Sequence, residues 1–148
     1  MPSSTTTSFF RCFAAAACLL PSAFASDYLG PVKTQLTFFG FPDNCDTTGC
    51  YYNDVAYPCT NLNGVNRPFK AGGDGSLYNP LTVAFKAGGN FQKCQVIYLP
   101  YLQKYGILEG LCASCAPNHL DIWVGSKCSD TADKVCACED TLTPGSYQ

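Results

Sequence analysis

Alternating and clustered apolar positions along this chain predict several short β-strands. Such strands show period-two alternation or a dense run of β-branched and aromatic side chains. A single segment, residues 130–138, favours a helix, and Ser129 or Asp130 can cap it. The pattern therefore predicts an all-β barrel or sandwich with one short C-terminal helix. The predicted strands cover residues 33–41, 81–85, 94–99, 101–108 and 119–124.

The core is predicted from the apolar positions that share one face of each strand, since alternate side chains of a strand point the same way. Val124 continues the apolar face of the last strand. Ala132, Val135 and Ala137 form the expected buried stripe of the helix. We expect the buried residues to include Leu36, Phe38, Val83, Phe85, Val96, Ile97, Leu120 and Ile122.

A long region between the first two strands, residues 42–80, is rich in proline, glycine and asparagine. Irregular loops of this length are uncommon unless they carry a function or are cross-linked. Cys45, Cys50 and Cys59 lie within this region and are expected to staple it through disulfides.

The N-terminus, residues 1–25, has the features of a secretory signal peptide. Arg11 precedes an apolar stretch that is too short to span a bilayer, and residues 23–25 have the small-x-small form that signal peptidase cleaves. A buried N-terminal helix is the alternative. We therefore expect a secreted, extracellular protein with one domain over residues 26–148.

The cysteine content favours the same compartment. The chain has 11 cysteines, and all but Cys12 and Cys18 follow the expected cleavage site. An oxidising environment turns such a density into a disulfide framework. Nine mature cysteines leave at least one without an intramolecular bridge. We predict four disulfides and one unpaired cysteine, which the family resemblance given below implies is Cys136 rather than Cys138.

Cys112 and Cys115 allow two other interpretations. Their two-residue gap is that of a zinc knuckle, with Cys136, Cys138 and the nearby His119 as further ligand candidates. Secretion favours a disulfide instead, so that no metal is expected. A thioredoxin-type redox site is not predicted either, because no βαβ pattern surrounds the pair.

Charge and motifs narrow the range of partners. Of 9 basic and 11 acidic residues, only Arg11 lies in the signal peptide, which leaves eight basic against eleven acidic residues without a basic run. Nucleic acid and anionic membranes are therefore not expected as partners. The glycine-rich residues 72–76 lack the ending of a phosphate loop, and no cofactor is expected. We expect a monomer.

The candidate chemistry lies in residues 119–125. On a strand, His119, Asp121 and Trp123 share one face. An indole offers an apolar plane to a sugar ring, and a carboxylate accepts hydroxyl hydrogen bonds or carries a proton. This face is thus a candidate glycan site, the alternative being that Asp121 caps a turn and Trp123 is packing.

Three tyrosines form a second candidate surface. Tyr98, Tyr101 and Tyr105 lie around a predicted turn and can provide an aromatic binding platform or pack across paired strands. A serine-hydrolase site is not expected, since His119 is the only histidine and no Gly-x-Ser-x-Gly elbow is present.

Seven segments in a fixed order resemble small secreted fungal proteins with a double-psi β-barrel, similar to the 3D domain of bacterial lytic transglycosylases. The wider superfamily includes expansins, barwin-like proteins and glycoside hydrolase family 45 cellulases. The resemblance spans residues 35–143 and implies a six-stranded double-psi β-barrel. The segments are TFFG at 37–40, VAYP at 55–58, GGDGSLYNPLTVA at 72–84, VIYLPYLQKY at 96–105, CASC at 112–115, HLDIWVG at 119–125 and ACEDTLT at 137–143.

The resemblance implies cell-wall polysaccharide or peptidoglycan as the ligand and Asp121 as the functional carboxylate. Gly110 stands where the transglycosylase acid is expected, which leaves Glu109 as the nearest substitute. Gly110→Asp is then expected to introduce cleavage in an otherwise intact groove. An inverting hydrolase needs two carboxyl groups, and none adjoins residues 37–39.

Three functions follow as hypotheses. The first is an expansin-like, non-hydrolytic protein that binds cell-wall glycan through His119, Asp121, Trp123 and the tyrosines. The second is a lytic transglycosylase or muramidase-like enzyme in which Asp121 or Glu109 is the catalytic acid. The third is a secreted effector or elicitor without glycan chemistry.

Overall fold

Short β-strands provide most of the regular structure. The computed structural model describes residues 30–41, 45–46, 49–50, 54–126 and 132–148, and the predicted signal peptide lies outside them. The described part is mostly β with one short helix, as the sequence predicts. Its elements are β1 (Gln35–Phe41), β2 (Cys45–Asp46), β3 (Gly49–Cys50), β4 (Leu81–Phe85), β5 (Val96–Leu99), β6 (Lys104–Leu111), β7 (His119–Ser126) and α1 (Ala132–Leu142).

Five of these strands form one mixed sheet in the order β1-β7-β4-β6-β5, while β2 and β3 pair separately. The central strands β7 and β4 are antiparallel to each other. Each has a parallel neighbour on its outer side, β1 beside β7 and β6 beside β4. Strand β6 returns antiparallel to the edge strand β5.

Register shifts interrupt both parallel pairs. Val83 pairs with Leu108 and Ala84 pairs with Gly110, so Glu109 is an extra residue in β6. Such a bulge bends a strand and redirects side chains. A Cβ on Gly110 would lie 2.9 Å from the Cβ of Ala84, which explains why glycine occupies this buried position.

The hydrophobic core lies on one face of the sheet and confirms burial of six of the eight predicted residues. Val96 and Ile97 are only half-buried, because β5 lies at the sheet edge. Val124 was expected in the core but is 39% exposed. It lies beside the register shift between β1 and β7, and Gly125 follows with a positive φ of 100°. The core comprises Leu36, Phe38, Val83, Phe85, Phe91, Leu99, Leu108, Leu120 and Ile122.

The long region before β4 is tied to the sheet at several points. Cys59 forms a disulfide with Cys94, just before β5, so the predicted stapling is confirmed for this cysteine. The Tyr57 N–H donates to the Glu109 carbonyl over 2.9 Å. Two isolated bridges, Asp54 with Lys70 and Thr60 with Asn66, add local order.

Helix α1 packs against β1. Val135 and Glu139 are buried one turn apart, and both lie close to the position that a Cβ on Gly40 would take. Gly40 therefore makes room for the helix. Ala137, which the sequence assigns to the buried stripe, is exposed, because the buried face runs through positions 135 and 139 instead.

Cys112 and Cys115 form a second disulfide, which rules out the zinc-knuckle interpretation of this pair. Cys138 is an exposed free thiol, contrary to its predicted pairing. The other predicted bridges involve side chains outside the described residues. Among the helices that the structure describes, none has the length and apolar character to cross a membrane.

Candidate functional site

A hydrogen-bonded group of three side chains connects β1 and β7; we call Thr37, His119 and Asp121 the Thr37 cluster. The Thr37 hydroxyl donates to Asp121 Oδ1 over 2.6 Å, and Thr37 Oγ1 lies 2.7 Å from His119 Nε2. Since the hydroxyl hydrogen points to Asp121, His119 Nε2 carries the hydrogen that it donates to Thr37 Oγ1. The threonine therefore couples the imidazole to the carboxylate.

The parallel pairing of β1 and β7 brings these residues together. Thr37 pairs with Asp121, and Gln35 pairs with His119. Residues opposite each other in a ladder share a face, which places Thr37 beside both functional side chains. All three members of the Thr37 cluster are half-buried. Solvent molecules and ligands thus reach them, while the sheet holds their spacing.

Thr37 is the site residue that sequence reasoning missed. The alternation of β1 indicates the orientation of Thr37, because Leu36 and Phe38 point into the core and Thr37 between them points away. The sequence placed His119 and Asp121 on one face, and the structure brings these two together through Thr37.

Glu109 belongs to a second, buried group, which we call the Glu109 cluster. Arg67 Nε donates to Glu109 Oε2 and Arg67 Nη2 to Oε1, each over 2.9 Å. The Thr82 hydroxyl donates to Oε1 over 2.6 Å. The side chains of Arg67 and Glu109 are 6% and 0% exposed. The bulge in β6 turns this carboxylate into the interior, so the expected role of Glu109 as an accessible acid does not fit its position.

The Glu109 cluster also ties the long region to the sheet. The Gly72 N–H donates to Thr82 Oγ1 over 2.9 Å, and the Thr82 N–H donates to the Gly72 carbonyl over 2.8 Å. A buried carboxylate with a bidentate arginine and a threonine is well satisfied. Its geometry suits holding Arg67 and Gly72 in place rather than moving a proton.

Other described carboxylates have contacts elsewhere. Asp54 forms an ion pair with Lys70. Asp74 accepts from the Ser76 N–H over 2.8 Å, and this backbone bond is the main reason that the pKa of Asp74 lies below its ordinary value of 3.8. Side-chain hydrogen bonds from Ser76 and Asn79 and the charge of Lys104 lower this pKa further.

Trp123 lies on the face of Asp121, as predicted, but it is only 6% exposed. The reason is its ladder partner Phe39, whose ring meets the indole edge-on at 5.2 Å between centroids. The expected open stacking plane is therefore covered by an aromatic neighbour. A surface cavity of about 370 Å³ borders on Trp123, with Leu81, Leu102 and Leu142 among its mainly apolar lining.

Two of the three tyrosines lie on other strands than the Thr37 cluster, and Tyr101 lies in the turn between β5 and β6. Tyr98 and Tyr105 are ladder partners in β5 and β6, with ring centroids 5.1 Å apart and planes tilted by 57°. Tyr98 is 52% exposed. Tyr101 donates its hydroxyl to the Leu142 carbonyl over 3.1 Å. In the sheet order, β4 lies between β6 and β7, so Tyr98 and Tyr105 are on strands that do not pair with β7.

The described side chains include no group of three or more histidine, cysteine, aspartate or glutamate residues placed to hold a metal ion. The Thr37 cluster instead combines a carboxylate, an imidazole and a hydroxyl in one half-buried patch. Such a set offers hydrogen-bond acceptors and donors to a polyhydroxylated ligand.

Comparison with known proteins gives one family. Residues 31–148 match the model of the family described as the DDB_G0273701 N-terminal domain. No curated protein matches the chain, and no solved structure matches it.

Proposed function

The chain belongs to the DDB_G0273701 N-terminal domain family, and we propose that it is a secreted protein that binds cell-wall polysaccharide or peptidoglycan with little or no cleavage. The observation that carries this proposal is the Thr37 cluster. The Thr37 hydroxyl positions His119 and Asp121 at 2.7 and 2.6 Å in a half-buried patch. Sugar hydroxyls are hydrogen-bond donors and acceptors that suit this array.

The chemistry of the cluster favours binding. A carboxylate is a charged hydrogen-bond acceptor, and Asp121 already accepts one such bond from the Thr37 hydroxyl. With Nε2 protonated, the other ring nitrogen of neutral His119 is an acceptor. Because the hydrogen bonds already hold these side chains in place, the protein loses less side-chain entropy when it binds a hydroxyl-rich ligand.

Among the described residues, Glu109 is the carboxyl group that the sequence offers as a second acid beside Asp121, and its side chain is fully buried. Inverting hydrolysis uses two carboxyl groups roughly 6.5–9.5 Å apart, one of which donates a proton. Glu109 lies two strands from Asp121, and neighbouring strands are about 4.8 Å apart, so the two backbones are about 10 Å apart. The Glu109 carboxylate, however, binds Arg67 and Thr82 in the interior. Gly110 has no side chain to replace it.

We propose that the sheet closes as a double-psi β-barrel, the fold that the sequence resemblance implies. Two parallel pairs flank an antiparallel centre, and long connections link β1 to β4 and β4 to β6. The mixed parallel and antiparallel pairing and the long connections support this proposal. Two disulfides support secretion, since such bridges persist in oxidising compartments.

The test is a pull-down of the protein with insoluble chitin, cellulose and peptidoglycan, combined with an assay for soluble sugar release. We expect one of these polymers to bind the protein without rapid release of sugars. Asp121→Asn and His119→Gln should weaken binding about tenfold or more, because the first replaces a charged acceptor with a neutral amide and the second removes the imidazole that bonds to Thr37. Asp140→Asn, on the exposed face of α1, is the matched control and should bind normally.

Two results would contradict the proposal. Rapid sugar release that Asp121→Asn abolishes would identify a glycan-cleaving enzyme of the transglycosylase or muramidase type. No binding to any of the three polymers by a folded protein would favour an effector that acts on a protein partner.

A further inference from the structure

The Cys112–Cys115 disulfide closes the turn between β6 and β7, with two residues between its cysteines. Cys112 is half-buried, whereas Cys115 is only 3% exposed, so Cys112 is the more accessible residue of the pair. The Cys112 N–H donates to the Phe85 carbonyl over 2.9 Å. This backbone bond holds the start of the turn to β4 whether or not the sulfur bridge is present.

The Cys112–Cys115 bridge closes a very short loop and therefore restricts the unfolded chain only weakly. In the chain-entropy account, the constraint that a disulfide places on the unfolded state rises with about the 3/2 power of loop length. Cys112–Cys115 has a sequence separation of 3, and Cys59–Cys94 has one of 35. In this account the longer bridge restricts the conformations of the unfolded chain roughly fortyfold more than the shorter one.

We propose that Cys112–Cys115 is a reversible redox site, which an external dithiol reduces while the rest of the fold stays intact. Its role differs from that of Cys59–Cys94, which joins the long region before β4 to a position two residues before β5. Breaking that longer bridge releases a constraint on the fold, whereas breaking Cys112–Cys115 opens one turn.

The reaction is thiol–disulfide exchange. A thiolate of the external dithiol attacks Cys112 Sγ, the S–S bond breaks, and Cys115 leaves as a thiolate that takes up a proton. The second sulfur of the dithiol, as a thiolate, then attacks the first sulfur of the same dithiol, which is bonded to Cys112. This attack closes the disulfide of the dithiol and releases Cys112 as a thiolate, which takes up a proton. Two electrons and two protons pass to the protein, and the dithiol becomes a disulfide.

We expect reduction of the Cys112–Cys115 bridge to change the geometry of the Thr37 cluster. The consequence for ligand binding rests on the proposed function. His119 follows Cys115 by four residues, and its N–H donates to the Ala116 carbonyl over 3.0 Å. The Asn118 carbonyl in turn accepts from the Gln35 N–H over 2.9 Å, at the start of β1. Release of Cys115 loosens the turn that sets the beginning of β7, and with it the position of His119.

The test is differential alkylation of the intact protein. Free thiols, including Cys138, are first blocked with N-ethylmaleimide. The protein is then treated with graded dithiothreitol, labelled with iodoacetamide and mapped by mass spectrometry. We expect Cys112 and Cys115 to be labelled at a dithiothreitol concentration at least tenfold below that which labels Cys59 and Cys94. Circular dichroism should be unchanged at that concentration.

A Cys112→Ser/Cys115→Ser double variant is a second measurement. It should keep the wild-type circular dichroism spectrum, and the amide NMR signals of residues 113–119 should differ from those of the oxidised protein. Labelling of all four cysteines together, or labelling only as the spectrum is lost, would overturn the redox site. Unchanged signals at 113–119 would overturn the link to His119.

The outcomes separate this proposal from the binding proposal. If the bridge is reduced in the folded protein but neither redox form binds a polymer, the redox site stands and the binding proposal fails. If the oxidised protein binds a polymer and the bridge resists reduction until unfolding, the binding proposal stands and the redox site fails.

Discussion

Thr37 and Asp121 are 84 residues apart in the sequence, and their side chains form a 2.6 Å hydrogen bond between neighbouring parallel strands. A second threonine–carboxylate pair, Thr82 with Glu109, has the same distance in the other parallel pair. The two pairs differ in their third member. His119 joins the first in a half-buried patch, whereas Arg67 neutralises the second in the interior. One pair is thus accessible to a ligand, and the other holds the fold.

Thr37→Val should weaken polysaccharide binding about tenfold while the protein stays folded. Valine has the shape of threonine but lacks the hydroxyl that positions His119 and Asp121. A hydrogen bond to a charged group contributes about 1.5–3 kcal/mol, which accounts for a loss of this size. Thr37→Ser keeps the hydroxyl and should retain binding. A polymer depletion assay measures both variants, and equal binding by wild type and Thr37→Val would contradict the role of this hydroxyl.

Arg67→Met should destabilise the protein by about 3–5 kcal/mol, because it leaves the carboxylate of Glu109 buried without its charged partner. The double variant Arg67→Met/Glu109→Leu removes both charges and should recover a large part of that loss. Urea unfolding followed by tryptophan fluorescence measures both. If Arg67→Met unfolds at the wild-type urea concentration, the ion pair does not hold the long region to the sheet.

Gly110→Asp should destabilise the protein by about 1–3 kcal/mol and should not introduce cleavage. An added Cβ lies 2.9 Å from the Cβ of Ala84, so β4 and β6 must separate to admit it. Ala84→Gly removes that contact and should partly rescue Gly110→Ala, which makes a matched pair for thermal unfolding. A fully stable Gly110→Asp protein that releases sugars from the bound polymer would restore the expectation drawn from the sequence.

The pKa of Asp74 should be measured below 3.8 by NMR titration, since the Ser76 N–H stabilises the ionised carboxylate. A lowered pKa in the folded state contributes stability above the unfolded-state pKa, and this contribution is lost as pH falls through the folded-state value. Asp74→Asn should therefore be less stable than wild type near pH 6, and the difference should shrink below about pH 3.8. A difference that is the same at both pH values would assign the effect to the turn rather than the charge.

The alternation of apolar and polar residues was sufficient to predict the strands and much of the core. Leu36 and Phe38 in β1, and Leu120 and Ile122 in β7, are buried as their period of two requires. The same period placed His119 and Asp121 on the opposite face, where the structure has them. These predictions depend on local pattern alone, which the sequence contains directly.

The remaining features depend on which strands become neighbours. Thr37 became a site residue only through the parallel register of β1 with β7, and Phe39 covers Trp123 through the same register. Glu109 turned inward because an extra residue in β6 forms a bulge. Neither long-range register nor the place of a bulge follows from periodicity, since both are set by tertiary packing.

The most direct test of the central claim is an NMR titration of the protein with a soluble oligosaccharide of the polymer that it binds. His119 is the only histidine, so its ring signals report on the Thr37 cluster without ambiguity. The account predicts that the ring signals of His119 and the amide signals of Thr37 and Asp121 shift with saturation, and that Asp121→Asn strongly reduces these shifts. Saturable shifts confined to Tyr98 and Tyr105, with His119 unchanged, would contradict it and would place glycan binding on the tyrosine surface.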